Sequence, residues 1–304
     1  MKISIITATY NRKKAVERCV RSVLAQTHAD VEHIVVDDGS TDGTAELFEE
    51  GGSLNDPRVR FEKLKHNHGC ATPARNRGLE IMTGDAFIIW DSDDELLPEA
   101  VATLVAVLNT RPDIDIASAP AYFLRAGVEI EVAPVPDRNV SFADKLAGVL
   151  PANEAVILIR TSCLGNIRYQ SRNLDFIFMT RLAKNCSWFH VQQKLATVHL
   201  TSDKLSLTTQ RKRKSATISI ERARVLGPFV RQFRDDYVRH APATYGELAY
   251  GATLGYVLAS QKADARYFGV ETYKYNRHLK RRIVVFLAWM PCAAWFLKQF
   301  IYRS

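Results

Sequence analysis

The sequence predicts an α/β protein: a mainly parallel sheet with helices on both faces, followed by a helical C-terminal region. Three observations carry this. Short, largely apolar runs recur between residues 3 and 119, the pattern of strands buried on both faces. Helical stretches alternate with them, as crossover connections require. The composition then changes near residue 208, where a basic, mostly helical region opens with Arg211-Lys212-Arg213-Lys214.

Ile3–Thr7 reads as the first strand; it is too short an apolar run for a signal peptide. A polar turn at Tyr10-Asn11-Arg12 leads to a helix over Lys13–Gln26, with Val16, Val20, Val23 and Leu24 on one face. His33–Val36 is the second strand. Ser40 is the expected N-cap of a short helix through Glu50. Arg58–Leu64 is the third strand. A helix over Pro73–Met82 follows, with Thr72 as its cap. Ala86–Trp90 is the fourth strand and runs into Asp91-Ser92-Asp93-Asp94. A helix over Pro98–Asn109 and a strand over Ile114–Ala119 complete the alternation. Residues 120–207 are less regular, with a helix over Leu174–Ala183 and a strand over Lys194–Leu200. The expected division is a catalytic domain over 1–207 and a C-terminal region over 208–304.

The 304 residues suffice for one large domain and an appendage. The five cysteines form no CxxC pair, so spacing suggests neither a zinc site nor a thioredoxin motif. A spread, odd set fits a reducing compartment. Charge is uneven: residues 208–304 hold 18 Lys+Arg against 6 Asp+Glu, whereas residues 1–207 hold 23 against 27. The net +8 therefore resides in the last third, which points to an anionic partner. No nucleic-acid motif is visible, so a membrane surface is the expected partner. Ile283–Leu297 is wholly apolar between Lys280-Arg281-Arg282 and Lys298. It is shorter than the roughly 20 residues of a spanning helix and contains Pro291. Segment 283–301 reads as an interfacial anchor, with a core helix as the competing reading.

In parallel sheets ligands bind beyond the carboxyl ends of the strands. The polar residues after strands one, two and four share that edge. Asp91 and Asp93 alternate, so an extended segment would aim both carboxylates one way. Mg²⁺ and Mn²⁺ take such oxygens together with phosphate oxygens. The competing reading has Asp94 or Glu95 stabilising the start of the next helix. Asp37-Asp38-Gly39-Ser40 offers acceptors to a nucleobase or ribose, or a turn with a cap. Arg75 suits bidentate phosphate contact. The first turn lacks the glycines of dehydrogenases and nucleotidyltransferases, and no P-loop is present.

Thr7-Ala8-Thr9-Tyr10-Asn11-Arg12, Val35-Val36-Asp37-Asp38-Gly39-Ser40-Thr41-Asp42, Ala74-Arg75-Asn76-Arg77-Gly78 and Trp90-Asp91-Ser92-Asp93-Asp94 occur in that order. Together they resemble the family 2 glycosyltransferases of the Rossmann-like GT-A fold, over roughly residues 2–110 and more weakly to Ser206. The resemblance implies an inverting, metal-dependent transferase using a nucleotide-diphosphate sugar, UDP being the commonest carrier. It implies a glycan or lipid-linked acceptor and a role in cell-surface polysaccharide synthesis, at the cytoplasmic face of a membrane. By position, Thr7, Tyr10, Asn11, Arg12, Asp38, Arg75, Asp91 and Ser92 would hold the nucleotide sugar. Asp93 and Asp91, with His199, would hold Mn²⁺ or Mg²⁺. Asp175 stands six residues before Arg181-Leu182 and would be the general base. Leu174 departs from the Glu-Asp pair usual there, and the Gly69–Ala74 loop is one residue longer. A catalytically degenerate nucleotide-sugar-binding or scaffold protein is the alternative function that Leu174 favours.

Overall fold

The computed structural model describes residues 1–148, 155–170, 175–200, 216–276, 278, 281, 285–290, 293–294 and 297. Leu174, the Arg211–Lys214 run and most of segment 283–301 lie outside them. The chain forms two compact units: Met1–Phe142 with Leu150–Thr201, and Ala143–Val149 with Ser202–Ser304.

Among the described residues, the first unit is built on β1 (Ile3–Thr9), β2 (Val31–Asp37), β3 (Val59–Lys63), β4 (Ala86–Asp91), β5 (Glu95–Leu96), β6 (Ile116–Ala119), β7 (Tyr122–Arg125), β8 (Val128–Ile130), β9 (Arg138–Val140), β10 (Val156–Arg160), β11 (Trp188–His190) and β12 (Ala196–His199). Eight form one sheet in the order β3-β2-β1-β4-β10-β6-β11-β9. Within it, β3, β2, β1, β4, β6 and β11 run one way, and β10 and β9 oppose them. β5, β12, β7 and β8 form a second, four-stranded sheet. The strand order reverses at β1, with β2 and β3 to one side and β4 to the other. The crevice beyond the carboxyl ends of β1 and β4 is therefore the topological switch point where such sheets bind ligands.

Period-two alternation sorts the side chains between two helix layers. Ile3 and Ile5 of β1 and Ile88 and Trp90 of β4 pack with α1 (Lys13–Leu24) and α3 (Ala100–Thr110). Ile6, Ile34, Val36 and Phe87 face the other way, onto α2 (Thr72–Ile81) and α5 (Asp175–Asn185). α4 (Phe142–Ala147) is a single short helix. α2 lies very close to β1, because a Cβ on Gly78 would sit 2.2 Å from Ile6 Cγ2.

Several local expectations are corrected. Ser40 caps no helix; only a 3-10 turn at Ala45–Leu47 forms. The Ser40 hydroxyl donates to Asp37 instead, and its backbone N–H bonds the same carboxylate at 3.0 Å. Thr72 is the first residue of α2 rather than its cap, with Pro73 in the first turn. Asp94 and Glu95 do not cap α3, which begins at Ala100 without a side-chain cap bond.

The second unit is helical: α6 (Ala216–Gln232), α7 (Arg234–His240), α8 (Pro242–Leu258) and α9 (Lys262–Tyr275). Gly255 lets α8 approach α6, since a Cβ there would lie 2.3 Å from that of Ala223. The buried Glu271 carboxylate is satisfied by Arg234 Nε at 2.8 Å and the Tyr245 hydroxyl at 2.7 Å, as a buried charge requires. Val285–Trp289 forms a 3-10 turn. No helix among the described residues is long and apolar enough to cross a membrane.

His33 is fully buried on β2, with Nε2 against Thr7 Oγ1 at 3.0 Å and no partner for Nδ1. Burial pushes its pKa down to about 3, so the folded ring stays neutral while the unfolded one takes a proton below its ordinary pKa. Stability is then full above about pH 6.5 and falls as pH drops from there toward 3, by roughly 2 kcal/mol at pH 5. Chemical unfolding from pH 7 to pH 5 should show this loss, and His33→Gln should flatten it. Gly78→Ala should destabilise the first unit by about 1–3 kcal/mol through overpacking. The loss should shrink in an Ile6→Leu background, which lacks the Cγ2 methyl, as a double-mutant cycle would measure.

Candidate active site

The site forms where β1, β2 and β4 end. Strand β4 stops at Asp91, and Ser92 and Asp93 form a turn rather than continuing the strand. Expected alternation of Asp91 and Asp93 therefore gives way to a tighter arrangement. Carboxylate oxygens of Asp91, Asp93 and Asp94 all lie within 4.8 Å of one another. Asp94 is buried; its Oδ1 accepts the His199 backbone N–H at 2.9 Å. Burial, then the neighbouring Asp91 and Asp93, push its pKa up to about 8. Three clustered hard oxygen donors suit Mg²⁺ or Mn²⁺.

Two arginines face this cluster. Arg12, at the end of the turn after β1, forms an ion pair with Asp93. Arg75, on α2, donates Nη2 to Asp91 Oδ1 at 2.7 Å and Nη1 to Asp175 Oδ1 at 2.8 Å. Burial opposes its charge, but the carboxylates of Asp91 and Asp175 outweigh that and hold its pKa above the ordinary arginine value. The Tyr169 ring covers the guanidinium, 5.3 Å from its carbon. Residue 169 is itself clamped by Asn76, whose side chain exchanges two 2.9 Å bonds with the Tyr169 backbone. Arg77 turns outward to Glu62 and Glu80. The Ala74–Gly78 run thus divides its roles. Ala74 and Gly78 seat the helix, Asn76 fixes Tyr169, and Arg75 joins two acids.

Asp38 is buried beside the crevice and accepts the His68 backbone N–H at 2.9 Å and the ring Nδ1 contact at 2.7 Å. Gly39 (φ 81°) is forced by this packing, since a Cβ would meet the Asn67 backbone at 3.0 Å. Asn11, at φ 48°, accepts the Thr41 N–H through its side chain at 2.8 Å, and its own N–H donates to Ser40 Oγ at 2.8 Å. It ties the β1 and β2 loops together. Tyr10 is half-buried at the end of β1.

Three expected contacts are placed differently. The side chain of Thr7 is fully buried, because alternation turns it toward α1, where it meets Cys19 Sγ at 3.8 Å and His33. Ser92 is buried beneath the turn. The His199 ring engages Glu95 at 2.7 Å and lies outside the three-carboxylate group; only its backbone touches the cluster. The structure brings together Arg12, Arg75, Asp91, Asp93 and Asp175. Sequence reasoning misses Tyr169, which no local motif marks, and Asn76 and His68, whose roles depend on distant partners.

The family model described as Glycosyl transferase family 2 matches residues 4–132. An uncharacterized glycosyltransferase of Escherichia coli K12, YibD, is 35% identical over 120 residues, covering 40% of this chain and 34% of the relative. The putative teichuronic acid biosynthesis glycosyltransferase TuaG of Bacillus subtilis is 41% identical over 93 residues, covering 31% of this chain and 36% of the relative. The chain spans about a third of the length of these curated relatives. Among solved structures, S. aureus TarS 1-349 in complex with UDP-GlcNAc superposes with a TM-score of 0.62 at 16% identity, covering 97% of this chain and 82% of that one. A mannosyltransferase from Pyrobaculum calidifontis in complex with GDP-Man and Mn2+ gives 0.53 at 16% identity, covering 99% and 87%. These likenesses bear on the fold, and the sequence match bears on descent. Residues 4–132, which hold the switch-point crevice and its acidic turn, match the Glycosyl transferase family 2 model, and the fold is shared with these GT-A-like neighbours.

Proposed function

We propose that the protein is an inverting glycosyltransferase that moves a sugar from a nucleotide diphosphate, UDP being the leading carrier, to a hydroxyl of a glycan or lipid-linked acceptor. The observation that carries this is Arg75, which joins the acidic turn to Asp175 through one guanidinium. A leaving-group site and a base are thereby held at a fixed separation, as an in-line displacement needs. Asp91 and Asp93 are the residues that would hold Mg²⁺ or Mn²⁺, with Asp94 behind them. Such an ion supplies charge neutralisation for a departing diphosphate. Arg12 and Arg75 offer forked donors to phosphate oxygens. Asp38, at the end of β2, receives the nucleoside.

Asp175 acts as the base. Arg75 engages its Oδ1, and Oδ2 takes the proton from the acceptor hydroxyl. The acceptor oxygen then attacks the anomeric carbon from the face opposite the nucleotide. Arg75 positions this carboxylate, and the Tyr169 ring covers the guanidinium.

The second unit supports a peripheral role at a cytoplasmic membrane face. Tyr267, Val270, Tyr273, Phe286, Trp289 and Met290 are exposed there, in a region rich in Lys and Arg, the combination that binds anionic interfaces. An acceptor presented on lipid, in cell-surface polysaccharide synthesis, fits that placement.

Calorimetry of UDP, dTDP and GDP with and without Mn²⁺ tests the donor site. One nucleotide should bind in a metal-dependent manner, and Asp93→Ala should abolish it; no binding of any nucleotide by folded protein would sink the transferase reading. Asp175→Asn preserves an acceptor for Arg75 but cannot take a proton. It should lower sugar transfer by about 10²–10⁴-fold while leaving nucleotide affinity within a few-fold. Equal loss of both would instead make Asp175 a structural anchor.

A further inference from the structure

A second cluster of metal-ligating groups lies away from the crevice. Asp115 stands just before β6, Cys163 in the 3-10 turn Thr161–Cys163 after β10, and Cys186 just after α5. β6 and β10 are antiparallel, with Ile116 opposite Ile159. The start of one and the end of the other therefore share the edge opposite the acidic turn. One ligand atom from each of Asp115, Cys163 and Cys186 lies within 4.8 Å of the other two, and all three residues are half-buried, so solvent reaches them.

The carboxylate is already oriented. Asp115 Oδ2 accepts the Ser187 N–H at 2.9 Å and the Ser187 hydroxyl at 2.8 Å. The Asp115 N–H in turn donates to the Ser187 backbone carbonyl at 3.1 Å, and the Arg160 N–H donates to the Asp115 carbonyl at 2.9 Å. Hydrogen bonds of this kind fix the orientation of a carboxylate that ligates a metal, and here the carboxylate stands beside two thiols.

We infer that Asp115, Cys163 and Cys186 form a binding site for a thiophilic divalent cation of the zinc class, with water as the fourth ligand. Two thiolates and a carboxylate select such an ion over Mg²⁺ or Mn²⁺. Ligand atoms on one tetrahedral zinc stand about 3.6–3.8 Å apart given its bond lengths, so the cluster needs only a small closure. Binding releases both thiol protons to solvent. A disulfide would use the two sulfurs alone and leave the carboxylate to serve only Ser187. The ion would pin the end of α5, whose first residue is Asp175, to two strands of the large sheet.

The test uses the full chain, reduced and freed of metal, titrated with Co²⁺. A thiolate-to-cobalt charge-transfer absorption should saturate at one equivalent and be displaced by Zn²⁺. It should persist in Asp93→Ala, which removes a carboxylate of the acidic turn, and vanish in Cys163→Ser and in Cys186→Ser. Asp115→Asn should weaken cobalt binding about tenfold or more. Zinc at a hundredfold excess over its Kd should raise the thermal midpoint on the order of 5 °C in the wild type and leave the cysteine variants unmoved. A readout without substitutions is alkylation followed by mass spectrometry: zinc should protect Cys163 and Cys186 but leave Cys70 reactive. Absence of the charge-transfer band with both thiols free overturns the site. So does a Cys163–Cys186 disulfide in the protein as isolated, with no cobalt band after its reduction.

Discussion

The buried guanidinium of Arg75 is the constraint around which the crevice is arranged. Taking a charge out of water costs several kcal/mol unless partners replace the lost hydration. Here Asp91 and Asp175 do so, from opposite ends of the fork, and the Tyr169 ring covers the face. Removing either acid would leave a buried positive charge with half its compensation, so the three residues act as a unit. Strand alternation makes the unit possible. Phe87 and Ile89 face α2 and α5, so Asp91, two residues further on, faces them too. A one-residue register shift in β4 would aim Asp91 at α1 and break the bridge.

The mount for this arginine is assembled from small residues. Ala74 is fully buried and Gly78 rests against Ile6, which brings α2 within backbone reach of β1. A larger residue at either position would lift the helix and carry the guanidinium away from Asp91. The acidic turn is held with similar economy. Asp94 N–H bonds the Asp91 carbonyl at 3.3 Å, and the Trp90 indole donates to the Asp94 carbonyl at 3.3 Å. Burial and the neighbouring Asp91 and Asp93 push the Asp94 pKa up to about 8, which favours its protonated form and so eases repulsion among three crowded carboxylates.

The central strands are legible in the sequence because parallel strands buried on both faces leave predominantly apolar runs, as at Ile3–Thr7 and Ala86–Trp90. β7, β8 and β9 are not, because they are three or four residues long and largely exposed. Ser40 departs from its expected capping role because Asp37, three residues earlier, outcompetes a helix for its hydroxyl and N–H. Motif spacing places Asp93, Arg75 and Asp175 at one edge, yet it does not say that Thr7 and Ser92 point inward; that depends on which face of a strand or turn a residue occupies. Tyr169 and the Asp115, Cys163 and Cys186 cluster carry no local signature at all. Their partners lie tens of residues away, and only the sheet order brings them together.

If the crevice takes a nucleotide and a cation as proposed, its paired charges favour their entering together. Arg12 is committed to Asp93, and Arg75 to Asp91 and Asp175. A diphosphate arriving by itself must take an arginine from its carboxylate and strand that carboxylate near two others. A cation by itself would claim Asp91 and Asp93 and strand the arginines, one of them buried. When both arrive, the arginines can exchange Asp91 and Asp93 for phosphate while those two carboxylates exchange guanidinium for metal, and Arg75 can retain Asp175. Each group that gives up a partner gains another, so geometry and hydration weigh heavily in the balance. On this reading the mutual dependence of nucleotide and metal is a property of the resting ion pairs, and Asp175 keeps its hold on Arg75 only as far as the incoming phosphate allows.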